Sequence, residues 1–327
     1  MAGGTQKPFS TTSSSITRMQ EQARFDVSLQ AVPDLVAKLR RIPASARRFS
    51  IGRQDAQRRY RIPEPLLVAL LDAGLPSRRV DGEVHFDRHD VVNVCIHLGV
   101  GPMSRAARRS WPAALTAAHE APIRYRLRYQ ADCPEPRHDG PCRFDVTLPG
   151  PTARQVVTTP AAGLRLDVDV PLQDGWPAVP DELAARLGTL DEFEFMRLPP
   201  SLQRDLTFIQ DSGLVDCVGV SELVAQRAAG VGAVARRSFG VIAAPPYANL
   251  HYWAELLVDD RWVPVDPVLV GAMTCWGVLD AATWPPYRSI GPLVVRVADD
   301  QVLLATHNGG DVQVALPSRW ISGRPAS

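Results

Sequence analysis

Three residues in the second half of the chain have the types and the order that covalent acyl chemistry needs: Cys217, His251 and Asp266, 34 and 15 residues apart. A cysteine attacks as its thiolate, an imidazole takes and returns a proton, and a third group fixes that imidazole's orientation and tautomer. A cysteine taken alone is more often a packing residue, and a single histidine on an apolar strand is more often part of a core. The spacing of the three together favours chemistry.

Recognisable elements can position them. In DSGLVDCVGVSELVAQRAAGVGA, Cys217 stands just ahead of an apolar-periodic helix that runs to about Ala229 and is closed by glycine. A cysteine there meets the positive end of the helix dipole, which favours a sulfur anion. The stretch AAGVGAVARRSFGVI supplies a strand, LHYWAELLVDD a second that carries His251, and RWVPVDPV a third that carries Asp266. The DD turn at Asp259 and Asp260 joins the last two as a hairpin whose strands lie about 4.8 Å apart. Symmetric pairing about that turn sets residue 251 opposite 268 rather than 266, so a bulge or a one-step offset is expected. Pro264 and Pro267 mark the third strand as an irregular edge.

This text resembles the transglutaminase-like superfamily, in which a nucleophilic cysteine is followed by an RA-x-G segment, an H-x-W-x-E strand and a W-x-x-x-D-P strand. The matching residues are Cys217 in GLVDCVGVSELVAQ, Arg227 to Gly230 in RAAG, His251, Trp253 and Glu255 in HYWAE, and Trp262, Asp266 and Pro267 in WVPVDP. The resemblance covers roughly residues 195–272. It implies a papain-like α+β core and a ping-pong acyl mechanism. Cys217 attacks an amide or thioester carbonyl, His251 serves as base and then acid, Asp266 holds the imidazole, and the backbone N–H of Cys217 or its neighbour stabilises the oxyanion. Gln210, seven residues before Cys217, is a candidate side-chain donor to that oxyanion. Trp253 is carried as an auxiliary residue, packed with Trp262 beneath the site, and Glu255 is expected to pair with an arginine. Water as acceptor makes a hydrolase, and an amine makes an amide-forming acyltransferase. Some bacterial relatives form amides from carrier-protein thioesters in natural-product assembly, and others are peptidases.

The pattern also departs from the family. Animal transglutaminases carry glutamine before the cysteine and tryptophan after it, where this chain has Asp216 and Val218. That argues against protein crosslinking and against calcium dependence. A carboxylate next to a thiol disfavours its ionisation unless it is turned away or paired, for which Arg236 and Arg237 are candidates. Pro245, Pro246 and Tyr247 in IAAPPYAN are placed as a wall of the cleft.

A second constellation, CPEPRHDGPC, holds Cys133, His138 and Cys142. Three soft ligands can begin a zinc site, but there is no C-x-x-C pair and no fourth ligand nearby in the sequence. A solvated hairpin loop is the expectation, with no metal and no cofactor.

The N-terminal part has another character. After a small, polar stretch expected as a flexible tail over 1–30, residues 31–118 read as helical. PEPLLVALLDAGLP places Leu67, Leu70 and Leu71 on one face with Gly74 as a stop, RRVDGEVHF signals a hairpin at its DG, and Asp87 can cap RHDVVNVCIHLG. Helix, hairpin, helix is a winged-helix outline of the kind found in excisionase-type DNA-binding proteins. Arg40, Arg41, Arg47, Arg48, Arg53, Arg58, Arg59 and Arg61 form a basic excess that suits phosphates or an acidic protein. Base-reading side chains on a clean recognition helix are not evident.

Residues 119–320 then combine a β-rich flank with the core over about 195–272. IRYRLRYQ, CRFDVTLPG and LRLDVDVP alternate as strands, PLQDGWPAVP separates them from a helix at DELAARLG, and PLVVRVADDQVLLATHNGGDVQVAL is strand-rich again. The C-terminal SGRPAS is expected to fray. With 327 residues and 45% apolar content the chain can fill two cores. No apolar run reaches the length of a membrane span. Five unevenly spaced cysteines form no disulfide framework, so free thiols in a cytoplasmic setting are expected. A formal charge of +1 selects no polyanion partner.

The sequence therefore points to an α+β protein with a papain-like transglutaminase core, flanking antiparallel strands and an N-terminal helical domain. Its expected activity is acyl transfer through a Cys217 thioester on a peptide, protein or carrier-bound donor, with water or an amine as acceptor. A cysteine peptidase, or a DNA-binding or docking protein with a degenerate core, is the alternative.

Overall fold

The computed structural model describes residues 29–120, 123–150, 152–171 and 175–322. The expected flexible tail over 1–30 and the frayed C-terminus fall almost wholly outside them. The chain divides into two compact units, one ending at Gly101 and one beginning at Pro102, so the break comes earlier than the 118/119 boundary read from the pattern.

In the first unit, helix α1 (Val32–Leu39) buries Val32, Leu35, Val36 and Leu39. Strand β1 (Phe49–Gly52) and helix α2 (Arg53–Arg58) follow, then helix α3 (Glu64–Asp72). The stripe α3 buries is Leu66, Leu67 and Leu70; Leu71, expected on that face, is half-buried. Gly74 ends the helix at φ +87°, a region that favours glycine. Strands β2 (Ser77–Val80) and β3 (Glu83–Asp87) form the expected hairpin, with Asp81 and Gly82 both at positive φ as a type I′ turn requires. Asp87 caps helix α4 (Arg88–Leu98) by accepting from the His89 N–H at 2.7 Å.

Pairing of β1 with β3 makes a three-stranded sheet of order β1-β3-β2, a strand more than the helix, hairpin, helix outline contains. The basic face is also smaller than the sequence suggested. Arg47 is buried, its Nε 2.7 Å from the buried Asp90 carboxylate and its Nη2 2.6 Å from the Leu39 carbonyl, and Arg53 pairs with Glu64.

Helical turns over Gly101–Arg105 and Ala106–Ser110 run into helix α5 (Trp111–Glu120) at the start of the second unit, which continues into strands β4 (Arg124–Ala131), β5 (Cys142–Leu148), β6 (Thr152–Thr158) and β7 (Leu164–Pro171). Alternation along β4 turns Tyr125, Leu127, Tyr129 and Ala131 inward. Its outward Arg126 and Arg128 face Asp169 and Asp167 across the β4–β7 register. Helix α6 (Asp181–Leu187), strand β8 (Glu194–Phe195), helix α7 (Leu206–Ser212), strand β9 (Leu214–Val215) and helix α8 (Cys217–Gly230) come next. Strands β10 (Ala235–Ile242), β11 (Asn249–Val258) and β12 (Arg261–Val265) precede helix α9 (Pro267–Cys275). The chain closes with β13 (Val294–Ala298), β14 (Ala305–His307), β15 (Gly310–Asp311) and β16 (Ser318–Ser322).

The C-terminal strands are shared among three sheets. β13 completes the central antiparallel sheet of order β12-β11-β10-β13, β14 and β15 join β5 and β6, and β16 joins β4 and β7. The central sheet therefore draws on residues beyond the 195–272 stretch. Val241 and Ala243 near the end of β10, with Val295 and Val297 of β13, pack into one buried cluster with Tyr125, Phe144 and Leu164 of the flanking sheets. The described residues form an α+β arrangement of helices and strands that pair antiparallel except for β8 with β9.

Candidate active site

Cys217 is the first residue of α8 and is 3% exposed. Asp216 just before it is fully buried and caps the helix, its Oδ1 accepting from the N–H groups of Val218 at 3.0 Å and Gly219 at 3.2 Å. The next turn packs tightly. A Cβ on Gly219 would come within 2.6 Å of Ile209 Cδ1 and 2.7 Å of Val215 Cγ2, so glycine lets α8 start directly against α7 and β9.

His251 lies on β11 and Asp266 just past the end of β12. The two strands pair in the symmetric register, Ala254 opposite Val265 through Val258 opposite Arg261, and the turn is Asp259–Asp260, both at positive φ. The bulge expected from the sequence is absent from this ladder, because Asp266 is not in the strand. It leaves the sheet to cap α9, with Oδ1 accepting from the Leu269 N–H at 2.9 Å. Its Oδ2 reaches back to His251 Nε2, also at 2.9 Å. β12 is an edge of the central sheet, as its prolines indicated.

The imidazole also lies within electrostatic reach of the Cys217 sulfur. Burial works against a charged ring, but Cys217 and Asp266 outweigh it and hold the His251 pKa up at about 9. Opposite His251 in β10 is Gly240, where a Cβ would come within 2.0 Å of the Val295 carbonyl and 2.9 Å of Trp253, so this strand crossing requires glycine.

Trp253 and Glu255 share a strand face with His251 by the two-residue period. The Trp253 ring lies nearly parallel to the imidazole, centroids 6.4 Å apart, and its indole N–H donates to Glu255 Oε1 at 3.2 Å. That donor is engaged by a carboxylate, so Trp253 acts as a fully buried support for the histidine. Glu255 in turn accepts from Arg236 Nε at 2.6 Å, and the Arg236 guanidinium lies 4.1 Å from the Trp262 ring centroid. Arg236 and Arg237, the candidates for pairing with Asp216, thus serve Glu255 and Glu222.

The cation that faces Asp216 is Arg197, which the sequence reading did not single out. β8 and β9 form a short parallel pair, Phe195 opposite Val215, with the Met196 N–H on the Val215 carbonyl at 2.8 Å. That pairing sets residue 197 beside residues 216 and 217. Arg197 Nη1 donates to Cys217 Sγ at 3.6 Å. Burial opposes the Arg197 charge, yet Cys217 and Asp216 together push its pKa up. For Asp216 burial dominates and favours the protonated acid over the opposing pull of Arg197, Gly219 and Val218. Burial and Arg197 together blunt the charge the sequence set next to the thiol.

Gln210 sits elsewhere. It is exposed on α7, while its neighbour Ile209 turns inward to the first turn of α8. Tyr247 is also largely exposed, at 58%.

No protein-family model and no curated protein matches this chain. One solved structure does, a protein from Cytophaga hutchinsonii described as a candidate cysteine protease, at 10% identity and a TM-score of 0.32, covering 62% of this chain and 92% of that one. At that level the likeness decides neither family nor activity. No helix among the described residues is long and apolar enough to cross a membrane.

Proposed function

We propose that the protein is a cysteine-dependent acyl-transfer enzyme of transglutaminase-like type with a Cys217, His251 and Asp266 triad. The observation that carries this reading is that Cys217, the first residue of α8, meets Arg197 at 3.6 Å and lies within electrostatic reach of the buried His251, which Asp266 holds at 2.9 Å. A sulfur anion in that position faces a guanidinium, an imidazolium and a helix N-terminus, three positive partners in a buried setting.

The Cys217 sulfur attacks the carbonyl carbon of an amide or thioester. Asp216 occupies the N–H groups of Val218 and Gly219, which makes the N–H of Cys217 the candidate first-turn donor to the tetrahedral oxyanion. Collapse breaks the bond to the leaving amine or thiol, which departs with the proton from His251. An incoming amine or water then gives its proton to His251 as it attacks the thioester carbonyl, and Cys217 leaves as the thiolate. Asp266 keeps the ring in place throughout.

The proposed donor is an acyl thioester on an acidic carrier protein. Arg48, Arg58, Arg59 and Arg61 are exposed on the N-terminal unit, a surface suited to acidic partners.

Intact-mass measurement after exposure to acyl thioesters and peptide amides is expected to show one acyl adduct that disappears in Cys217→Ala. Release of that adduct by amine or by water identifies the acceptor. An absence of adduct with any donor, together with unchanged turnover in Cys217→Ala, would overturn the proposal. Charge reversal of Arg58, Arg59 and Arg61 to Glu is expected to slow carrier-bound donors and to spare small thioesters.

A further inference from the structure

We infer that the second unit holds a structural zinc ion between Cys133, His138, Cys142 and His307. The sequence offers the first three within CPEPRHDGPC, and the fold supplies the fourth from a strand 165 residues beyond Cys142. One ligand atom from each residue falls in a group whose members all lie within 4.8 Å of one another. His138 Nε2 is 3.2 Å from Cys142 Sγ, and Cys133 Sγ is 3.7 Å from His307 Nε2. Tetrahedral zinc with bonds of about 2.3 Å to sulfur and about 2.0 to 2.1 Å to nitrogen needs ligand atoms about 3.3 to 3.8 Å apart. The Cys133–His307 separation falls in that range, the His138–Cys142 one lies just below it, and the rest, none above 4.8 Å, close to it with a contraction of about 1 to 1.5 Å at most.

The loop over 134–141 is solvated as expected, with His138 half-buried in it, but the cysteines at its two ends are not. Cys133, Cys142 and His307 are all buried. Burying two thiols and the His307 imidazole beside a half-buried His138 serves no packing purpose that apolar side chains would not meet better. Two thiolates, by contrast, cancel the charge of one dication and make a neutral centre that can be buried. Loading releases the two thiol protons to solvent and forms two Zn–S and two Zn–N bonds. A closed set of two sulfur and two nitrogen ligands is a structural site, with no open position for a substrate.

The surroundings orient the ligands. The Asp139 carbonyl lies 3.0 Å from His138 Nδ1 and can only accept, so Nδ1 carries the proton and the Nε2 lone pair is left for the metal. His307 is held at the end of β14 opposite Phe144 of β5, with the two rings 4.8 Å apart. Asn308 then ties the β14–β15 turn to β5. Its Oδ1 accepts from the Arg143 N–H at 2.9 Å and its own N–H donates to the Arg143 carbonyl at 2.8 Å. The ion would join the β4–β5 connection to β14, linking positions 174 residues apart.

Reduced full-length protein, loaded with zinc and freed of excess, is expected to retain one zinc per chain by elemental mass spectrometry. Cobalt(II) in place of zinc is expected to give the intense visible bands of a tetrahedral site and thiolate charge transfer in the near ultraviolet. Cys142→Ser and His307→Ala are expected to weaken retention at least about tenfold, whereas Cys217→Ala retains a full equivalent. If folded wild-type protein with free thiols takes up neither metal, or if its intact mass shows Cys133 and Cys142 joined as a disulfide, the proposal is overturned.

Discussion

Two cysteine and histidine clusters lie in the second unit, and they differ in what holds the imidazole. At Cys217 one sulfur faces His251, whose Nε2 meets the Asp266 carboxylate, and the ring is held as a cation up to about pH 9. At Cys133 and Cys142 two sulfurs face two rings, and His138 meets the neutral Asp139 carbonyl, which fixes a tautomer without adding charge. A carboxylate steadies the imidazolium form that proton transfer passes through. A carbonyl leaves a lone pair free to coordinate. The same residue types thus stand in two settings, one beside a carboxylate and an arginine, the other with a second sulfur and a second ring.

The comparison can be broken most severely at that carboxylate. In Asp266→Asn the amide oxygen can still accept from the Leu269 N–H and cap α9, but the ring loses its anion. Acyl transfer should fall on the order of 10⁴-fold while the fold is kept. A loss below tenfold, with an unchanged melting temperature, would show that the carboxylate is not what distinguishes the two clusters. A smaller effect is expected at the sulfur's other partner. Arg197→Met removes a half-buried cation but keeps the apolar stem, and alkylation of Cys217 by iodoacetamide at neutral pH should slow on the order of 10²-fold. An unchanged rate would leave Arg197 as a partner of Asp216 only.

The mildest test is pH. The folded His251 pKa of about 9 lies above its ordinary value of 6.5. The ion pairing therefore contributes its full stability below about pH 6.5 and loses it as pH rises through about 9. Activity that needs the protonated ring should fall about tenfold per unit above that point. Metal bound at the other cluster should survive the same alkaline range and leave toward acid, because its thiols must be deprotonated to bind. Opposite pH limits for the two clusters would sharpen the distinction, and a common limit would erase it.

The features legible in the sequence were those with a local signature. Asp87 as a cap, the Asp81–Gly82 turn, the period-two run of β4 and the hairpin that carries His251 are each encoded within a few neighbouring residues. Arg197 was hidden because β8 and β9 are two residues each, too short for any periodicity to show. Gln210 illustrates the opposite error, since a plausible spacing counted residues without the helix that turns its side chain to solvent.

The sequence by itself determined the order of Cys217, His251 and Asp266, and the strands and helix that carry them, because hydrophobic period and turn chemistry are local properties. Only the tertiary structure decided how Asp266 reaches His251, by leaving β12 to cap α9. It alone set Arg197 beside Asp216 and Cys217, and His307 beside Cys133 and Cys142. Those meetings depend on strand pairing between distant segments, and no window along the chain contains both partners.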